Sequence, residues 1–567
     1  MDKILPLPKP KSSNDKLATI LSYAVIFNGL FFIFLNLGSE ISIHGHELIP
    51  VIKSGPSMLS GLTLLYMGVL LRRRKRTAWF VSLIIYALWL VVYIIAAVMF
   101  ARHHPHHRID ATYVMALNLF VPTVVVIGLL IYRKAFTVRS DIRSFTIALR
   151  FSISVLLVAF VYGVTGFLLM DDMRNFHQTI GLTEAAHRTI DQFGFTTAHD
   201  LVAYTRRAWL FERSLSIISI GALVYAFVSL FQPLRARLGD QSSNRKHAET
   251  LLKKYPASSE DFFKLWPHDK LYFFDHTLQA GVAYAVHRGV ALVVGDPFGN
   301  PEKFDSLLDS FEELCRTNDW QIAFAHTEPQ HNDWYKKHGF SLQKIGEEAV
   351  IDLAHFRGQV QDSKYFRHIR NKFEKQGYTA ELLKPPLDAV TVARLRHISR
   401  NWLGLPGREE RRFMMGYFTS GYLQTSAAIM VLRDKDGSIQ AFINQIPSYD
   451  SQEINYDLLR HTQSSPGNSN DFLLLNFIDY AAEQGFTRAN LGLCPLSGLG
   501  SHEEAHALID NALGFVYNKG DRFYSFTGLR RFKAKYEPAW SPRYIAYREG
   551  VPGFTRVVTA LARAMKV

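Results

Sequence analysis

Near Phe231 the chain changes character: six apolar stretches separated by basic loops give way to a half whose hydrophobic period keeps switching between two and 3.6 residues. A chain divided in this way folds in two media. Its first part must satisfy every backbone polar group within helices, and its second part can build a layered globular core.

The apolar stretches run over roughly 17–37, 57–71, 78–100, 112–132, 151–170 and 215–231. Most approach the ~20 residues that cross a hydrocarbon core. Leu17–Leu37 is too long for a signal-peptide core and has no small-residue cleavage motif behind it, so it is expected to remain as the first helix. Lys3, Lys9, Lys11 and Lys16 precede the first stretch, Arg72–Arg73–Arg74–Lys75–Arg76 follows the second, and Arg133, Lys134, Arg139 and Arg143 follow the fourth. Basic residues thus mark every other loop, which predicts cytoplasmic termini and a multi-pass membrane protein. Asp171–Glu212, of mixed charge, is then external. His103, His104, His106 and His107, interrupted by Pro105, read as a solvated loop, and Arg150 as a side chain snorkelling to headgroups. Asn28, Asn36 and Asn118 read as interhelical hydrogen-bond partners.

The formal charge of +14 favours polyanionic partners, either anionic lipid or RNA. With only Cys315 and Cys494, and no Cys-x-x-Cys pair, neither a disulfide framework nor a structural zinc site is expected, and no metal or cofactor is assigned. Residues 232–259 read as a basic linker with a short helix. Strand-like runs follow at about 271–275, 282–287, 290–295, 321–326 and 345–353, with a helix opened by Asn300–Pro301 and another near Asp333–His338. A comparable order recurs: a helix over 387–403, strands at 427–433 and 438–446 joined through Asp436–Gly437, a strand at 453–459, a helix over 471–484 and a strand at 488–493, then a helix from about Glu503. The fold class is therefore multi-domain: an N-terminal α-helical transmembrane bundle of about six helices, then an α/β tandem GNAT-like (acyltransferase) domain. The expected divisions are 1–231, the linker 232–259, a first subdomain 260–380 and a second 381–567.

Several motifs fall in a telling order. They are Gly295–Asp296–Pro297–Phe298–Gly299, Lys344–Ile345–Gly346–Glu347–Glu348–Ala349–Val350, the run Arg367–Gly377, Trp402–Leu403 with Glu410, Phe413 and Gly416, Tyr456–Asp457–Leu458–Leu459–Arg460–His461, Leu491–Leu496 and Gly528–Tyr536. Together they resemble the synthase domain of the multiple peptide resistance factor (MprF) family. The resemblance implies an aminoacyl-tRNA:phosphatidylglycerol aminoacyltransferase, with lysine or alanine as the transferred residue and resistance to cationic antimicrobial peptides as the consequence. It implies aminoacyl-tRNA, anionic phospholipid (phosphatidylglycerol) and the membrane as partners. Six spans, fewer than in members that also flip their product, imply the synthase portion with a separate flippase; a homo-oligomer is a further possibility for assembly.

An aminoacyl ester is already activated, so catalysis needs positioning, a base and oxyanion stabilisation, and no covalent nucleophile. Asp457 is the candidate base or the holder of the substrate's ammonium, and Arg460 the candidate fork on a phosphate. Residues three apart on a strand point to opposite faces, so both reach one site only if the strand bulges or ends between them. Glu347 and Glu348 are candidates for selecting a cationic aminoacyl group, with at most one of them facing the pocket. Arg367, Arg370, Arg530, Lys533 and Lys535 are the candidate polyanion-binding residues. Gly295–Gly299 reads as a strand-to-helix turn. The competing readings are a membrane-anchored acyl-CoA-dependent acetyltransferase and a lipid flippase with a regulatory soluble domain.

Overall fold

A computed structural model describes residues 13–37, 58–103, 108–138, 140, 142–170, 176, 180–194, 205–231, 241–450, 452–495, 497 and 521–566. The chain separates into two compact units, one spanning Lys9–Leu234 with Thr317–Asp319, the other spanning Arg235–Arg316 and Trp320–Val567 together with Met1–Pro8.

In the first unit, helices occupy each apolar stretch: α1 (Ser13–Leu37), α2 (Met58–Arg72), α3 (Arg76–His103), α4 (Arg108–Ile131), α5 (Ile142–Leu169), and, after the short amphipathic α6 (Leu182–Gly194), α7 (Arg206–Ser229). Among the described residues three segments are long and apolar enough to cross a membrane, Arg76–Ile95, Phe145–Leu169 and Arg206–Ser229; those in α1, α2 and α4 are shorter. Large apolar side chains such as Phe27, Val158 and Leu169 point away from the unit's interior, 71 %, 70 % and 82 % exposed, as lipid-facing side chains do. Asn28 Nδ2 donates to the Tyr86 hydroxyl at 3.0 Å, the interhelical bond expected of it. The histidine cluster and the side chains of Asn36 and Asn118 lie outside the described residues. The basic loop after α2 docks on the one after α4: Arg76 N donates to Val138 O at 2.9 Å and Val138 N to Arg74 O at 3.0 Å. Arg74 also reaches Thr19 Oγ1 at 2.8 Å, and Lys75 Nζ donates to the Phe231 carbonyl. The starts and ends of alternate helices therefore gather at one end of this unit, the arrangement that alternate basic loops require.

The second unit is built on one twelve-stranded sheet. Its strands are β1 (Leu271–Phe274), β2 (Ala280–His287), β3 (Val290–Val294), β4 (Phe298–Gly299), β5 (Gln321–Thr327), β6 (Ser341–Asp352), β7 (Thr379–Leu383), β8 (Ala428–Arg433), β9 (Ile439–Gln445), β10 (Glu453–His461), β11 (Arg488–Pro495) and β12 (Ala539–Tyr547). Helices α8 (Ser242–Lys254), α9 (Phe304–Asn318), α10 (Asn332–Lys337), α11 (Lys364–Lys375), α12 (Ala389–Leu403), α13 (Ser420–Gln424), α14 (Ser469–Glu483), α15 (Asp521–Ala534) and α16 (Gly550–Ala564) complete it. The strand order is β1-β2-β3-β5-β12-β6-β11-β10-β9-β8-β7, with β4 on β2. Among the described residues only β3–β5 and β10–β11 pair in parallel, and each of these pairs is crossed over by a long helix, α9 or α14. The repeated unit expected from the sequence is thus present twice.

Two expectations need correcting. The segment 232–259 is not simply a linker, because α8 buries Ala248, Leu251 and Leu252 against Tyr272, Ala283 and Phe298 of the sheet and against Leu265, which precedes β1. The division at 380 and 381 also fails for the end of the chain. Strand β12 inserts between β5 and β6, and α16 packs Phe554, Val557, Val558 and Leu561 on Val290, Leu292 and Ala323 of the first half. Ala539–Tyr547 carries no clean alternation and holds Pro542, so its sequence does not mark it as a strand. The helix expected from Glu503 lies outside the described residues.

The halves join where β6 pairs with β11, and the register slips there between Asn490 and Leu493. Gly346, opposite Pro495 just past this slip and opposite Arg543 at the slip in β12–β6, has φ +156°, and a Cβ on it would lie 2.3 Å from the Cys494 carbonyl oxygen. Replacing Gly346 with alanine is expected to cost about 1–3 kcal/mol, seen as a thermal midpoint lowered by several degrees for the purified chain in detergent, whereas Gly421→Ala, on α13 with open space at its Cβ and no left-handed backbone, does not lower it.

Candidate active site

Asp457 sits on β10 where the ladder to β9 shifts register between Tyr456 and Leu459. This is the bulge that the Asp-x-x-Arg spacing demands. The amide it frees, Leu458 N, is taken up by Asn444 Oδ1 at 2.7 Å, and Asn444 Nδ2 in turn donates to Ser426 Oγ at 3.1 Å. The half-buried Asp457 carboxylate accepts through Oδ2 from Gly416 N at 3.0 Å and from the Tyr422 hydroxyl at 2.5 Å. Glycine is required at 416 because a Cβ there would lie 2.3 Å from that oxygen and 2.2 Å from Tyr422 Cζ. Tyr422 stacks on Trp266 with centroids 5.3 Å apart, which fixes the direction of its hydroxyl. Burial pushes the Asp457 carboxyl up to about 7, against the opposing pull of the Tyr422 hydrogen bond and the Arg460 charge. A carboxyl poised there suits a general base at neutral pH.

Arg460 does not present an open fork to phosphate. Its Nη1 and Nη2 each donate to Glu410 at 2.7 Å, Nη1 also reaches Ser399 Oγ, and its guanidinium lies 4.7 Å from the Trp402 ring centroid. At 3 % exposure it is a buried clamp. Through Glu410, whose Oε1 also accepts from Phe418 N at 3.3 Å, it holds the loop that delivers Gly416 and Tyr422 to Asp457.

Glu347 and Glu348 diverge, as adjacent strand residues must. Glu347 pairs with Lys344 at 2.8 Å and with Arg530 at 2.9 Å, while Arg530 lies 4.6 Å from the Trp540 ring centroid. Glu348 is fully buried and bonds Arg543 and Asn490, so it has no open face for a substrate ammonium. Lys533 is likewise inside, donating to the carbonyls of Gly492 at 2.8 Å and Leu493 at 3.1 Å, its ammonium pKa lowered by burial. Lys535 is neutralised by Asp471 at 2.8 Å and donates to the Tyr365 hydroxyl at 2.7 Å. Arg370 pairs with Asp479 at 2.8 Å. Of the candidate cations, Arg367 is the one fully on the surface, on α11 beside exposed Lys364 and Lys375.

A cleft enclosing about 480 Å³ of space open to solvent adjoins this centre; Met414, two residues before Gly416, lines it with Glu260, Gly295, Asp296, His326 and Glu328. Gly295–Gly299 is the expected turn: Asp296 accepts from Tyr335 Oη at 2.8 Å and Glu328 N at 2.9 Å. Burial pushes Glu328 up to about 7. Tyr422, Trp266, Ser399, Asn444, Glu260 and His326 were not singled out from the sequence. Asn444 had a signal, a polar residue inside the apolar run Ala441–Ile446; the others carry none.

The family profile "Phosphatidylglycerol lysyltransferase, C-terminal" matches residues 249–547, which contain every side chain just described. The chain belongs to this family. The resemblance to MprF synthases is thereby borne out. Phosphatidylglycerol lysyltransferase of Staphylococcus aureus strain MRSA252 is 28 % identical over 470 residues, 82 % of this chain and 51 % of that protein. The Staphylococcus epidermidis protein of the same name is 30 % identical over 335 residues, 59 % of this chain and 39 % of its own. This chain thus spans about half or less of these relatives. Among solved structures, L-PGS from Bacillus licheniformis aligns with a TM-score of 0.51 at 30 % identity, over 58 % of this chain and 98 % of that one. The C-terminal domain of a putative lysylphosphatidylglycerol synthetase from Agrobacterium fabrum gives 0.50 at 26 %, over 58 % and 98 %.

If Asp457 works as a base, the pH dependence follows from its environment. The ionised form accumulates as pH rises through about 7, so kcat/KM should rise over the same window. Tyr422→Phe removes a hydrogen bond that favours the ionised form and should move that limb up by about one pH unit, the equivalent of one charged hydrogen bond; an unmoved limb counts against the assignment. Asp457→Asn should lower turnover about a hundred- to ten-thousand-fold.

Proposed function

We propose that this chain is a membrane-bound aminoacyltransferase that moves lysine from lysyl-tRNA to a glycerol hydroxyl of phosphatidylglycerol. The single observation that carries this reading is the Asp457 carboxyl, pushed up to about 7 and aimed by Gly416 N and Tyr422 within the family's synthase domain. Lysine is preferred over alanine because the matched relatives are named lysyltransferases.

In this reading Asp457 accepts the proton of the lipid hydroxyl while that oxygen attacks the ester carbonyl of the aminoacyl-tRNA. The tetrahedral intermediate collapses as the ester bond to the ribose oxygen breaks, and the proton held by Asp457 passes to that leaving oxygen. The carboxylate is restored and no enzyme–substrate bond forms. Arg460 is a positioning residue, acting through Glu410 on the loop that carries Gly416. The exposed face of α11, with Lys364, Arg367 and Lys375, supplies cations for the RNA backbone. Six spans and cytoplasmic termini remain the proposed topology; the docking of alternate basic loops on one another supports it. Added lysine offsets the lipid's negative charge, which would weaken attraction of cationic peptides.

Mass spectrometry of lipids from a bacterial host lacking such an enzyme tests the proposal. Expression of the wild type should add lysyl-phosphatidylglycerol, and expression of Asp457→Ala at equal level should not; an unchanged lipid profile with the wild type overturns it. For the RNA face, Lys364→Glu with Arg367→Glu should raise KM for lysyl-tRNA with kcat little changed, and flatten the dependence of log affinity on log salt by roughly one for each cation lost.

A further inference from the structure

The cleft beside Met414 lies at the carboxyl ends of the parallel pair β3–β5, as the Asp457 centre lies on the parallel pair β10–β11. Such strand ends are where α/β sheets commonly bind ligands, and here the first half carries a cluster that the proposed transfer does not use. Glu260, His326 and Glu348 converge so that one donor atom from each lies within 4.8 Å of the others. His326 Nδ1 is 3.1 Å from Glu260 Oε2, and His326 Nε2 is 3.1 Å from Glu348 Oε1.

Two features set this cluster apart from an ordinary group of acids. Glu348 is fully buried, and while its Oε2 is held by Arg543 and Asn490, its Oε1 receives no well-aligned hydrogen bond. A buried carboxylate oxygen left so is costly unless a cation completes it. His326 is held at φ +73°, a left-handed backbone that is uncommon for histidine, in a bulge: Ala325 pairs with Ile545 and Thr327 with Tyr544, leaving His326 outside the ladder. That conformation aims the imidazole between the two carboxylates.

We propose that Glu260, His326 and Glu348 bind one divalent transition-metal ion. One imidazole nitrogen with two carboxylates suits zinc or manganese better than calcium or magnesium, which prefer all-oxygen sets. The adjoining cleft, which Glu260 and His326 both line, gives water access to the remaining coordination positions. The charges facing the cluster are Glu328, Arg543 and Lys533; three carboxylates stand against Arg543, against Lys533, which is turned toward carbonyl oxygens, and against the His326 imidazole when it is protonated. The ion would tie the segment around Glu260 to β5 and β6 beneath Asn490, a structural role independent of whether lysine is the transferred group. The sequence offers no spacing motif for it, since the three residues come from distant segments.

The test uses the full chain purified in detergent, stripped with a chelator, desalted and titrated with Mn²⁺ or Zn²⁺. One equivalent should be retained after desalting, and the electron-spin-echo spectrum of bound Mn²⁺ should carry the ¹⁴N modulation of one imidazole. His326→Asn, which keeps a residue tolerant of the left-handed backbone, should abolish that modulation, and Glu260→Gln should lower affinity at least tenfold. Retention of no metal at micromolar concentration, or full retention with unchanged modulation in His326→Asn, overturns the proposal and leaves an imidazolium bridging two carboxylates. Glu348→Gln, the most buried change, is read only where its circular dichroism matches the wild type, and full-strength binding there also overturns the site.

Discussion

The antiparallel pairing of β6 with β11 is the constraint on which the second unit rests. Without it each half would present a long strand edge of unpaired amides and carbonyls, a liability for any sheet protein. With it, two units of the same plan share one sheet, and β12 locks the junction by pairing with β6 on one side and β5 on the other. The chain's end is therefore needed to complete its beginning. The first half's sheet is not continuous on its own, because the strand that joins β5 to β6 arrives nearly two hundred residues after β6.

The ladders are irregular at that junction and beyond it. Register slips occur in β6–β11, β12–β6 and β12–β5, and again in β9–β10 and β8–β9. Each slip frees backbone groups and turns a side chain out of alternation, which costs stability unless polar partners are supplied. The partners are the residues of chemical interest: Asn444 satisfies Leu458 N beside Asp457, Asn490 Oδ1 accepts from Gly492 N at 2.7 Å, and Thr327 Oγ1 donates to the Tyr544 carbonyl at 3.3 Å. Sites and irregularities coincide here because a regular strand cannot present residues 457 and 460 to one locus, and a bulge can.

Much of this was legible in the sequence. Periodicity found most strands to within a few residues but not β4, β7 or the central β12, the Asp436–Gly437 hairpin and the Asn300–Pro301 helix start formed as read, and the need for a break between Asp457 and Arg460 followed from strand geometry alone. What periodicity could not supply was partnership. A basic run looks the same whether its lysines face water or, like Lys533, bury an ammonium on carbonyls, or, like Lys535, meet an acid from α14. Arg460 was expected to seize a phosphate because its sequence neighbours do not include Glu410. Trp266 and Tyr422 stack although 156 positions separate them in the chain, and that contact, which aims the hydroxyl at Asp457, leaves no local trace.

The same geometry bears on whether the transfer could run through an enzyme-bound thioester. The chain has two cysteines, both buried: Cys315, on the core-facing side of α9, is 1 % exposed, and Cys494, on β11 just past the β6–β11 slip, is 1 % exposed. Burial raises both thiols, most strongly Cys315, and the nearby Lys533 and Arg530 only partly oppose this at Cys494. The thiolate is the nucleophilic form, so neither sulfur is prepared to attack an ester at neutral pH. Asp457 has the opposite preparation: its proton affinity lies near neutrality, and its oxygen is fixed by a backbone amide and a stacked tyrosine. That contrast supports the proposed direct attack by a lipid hydroxyl over a route through a thioester.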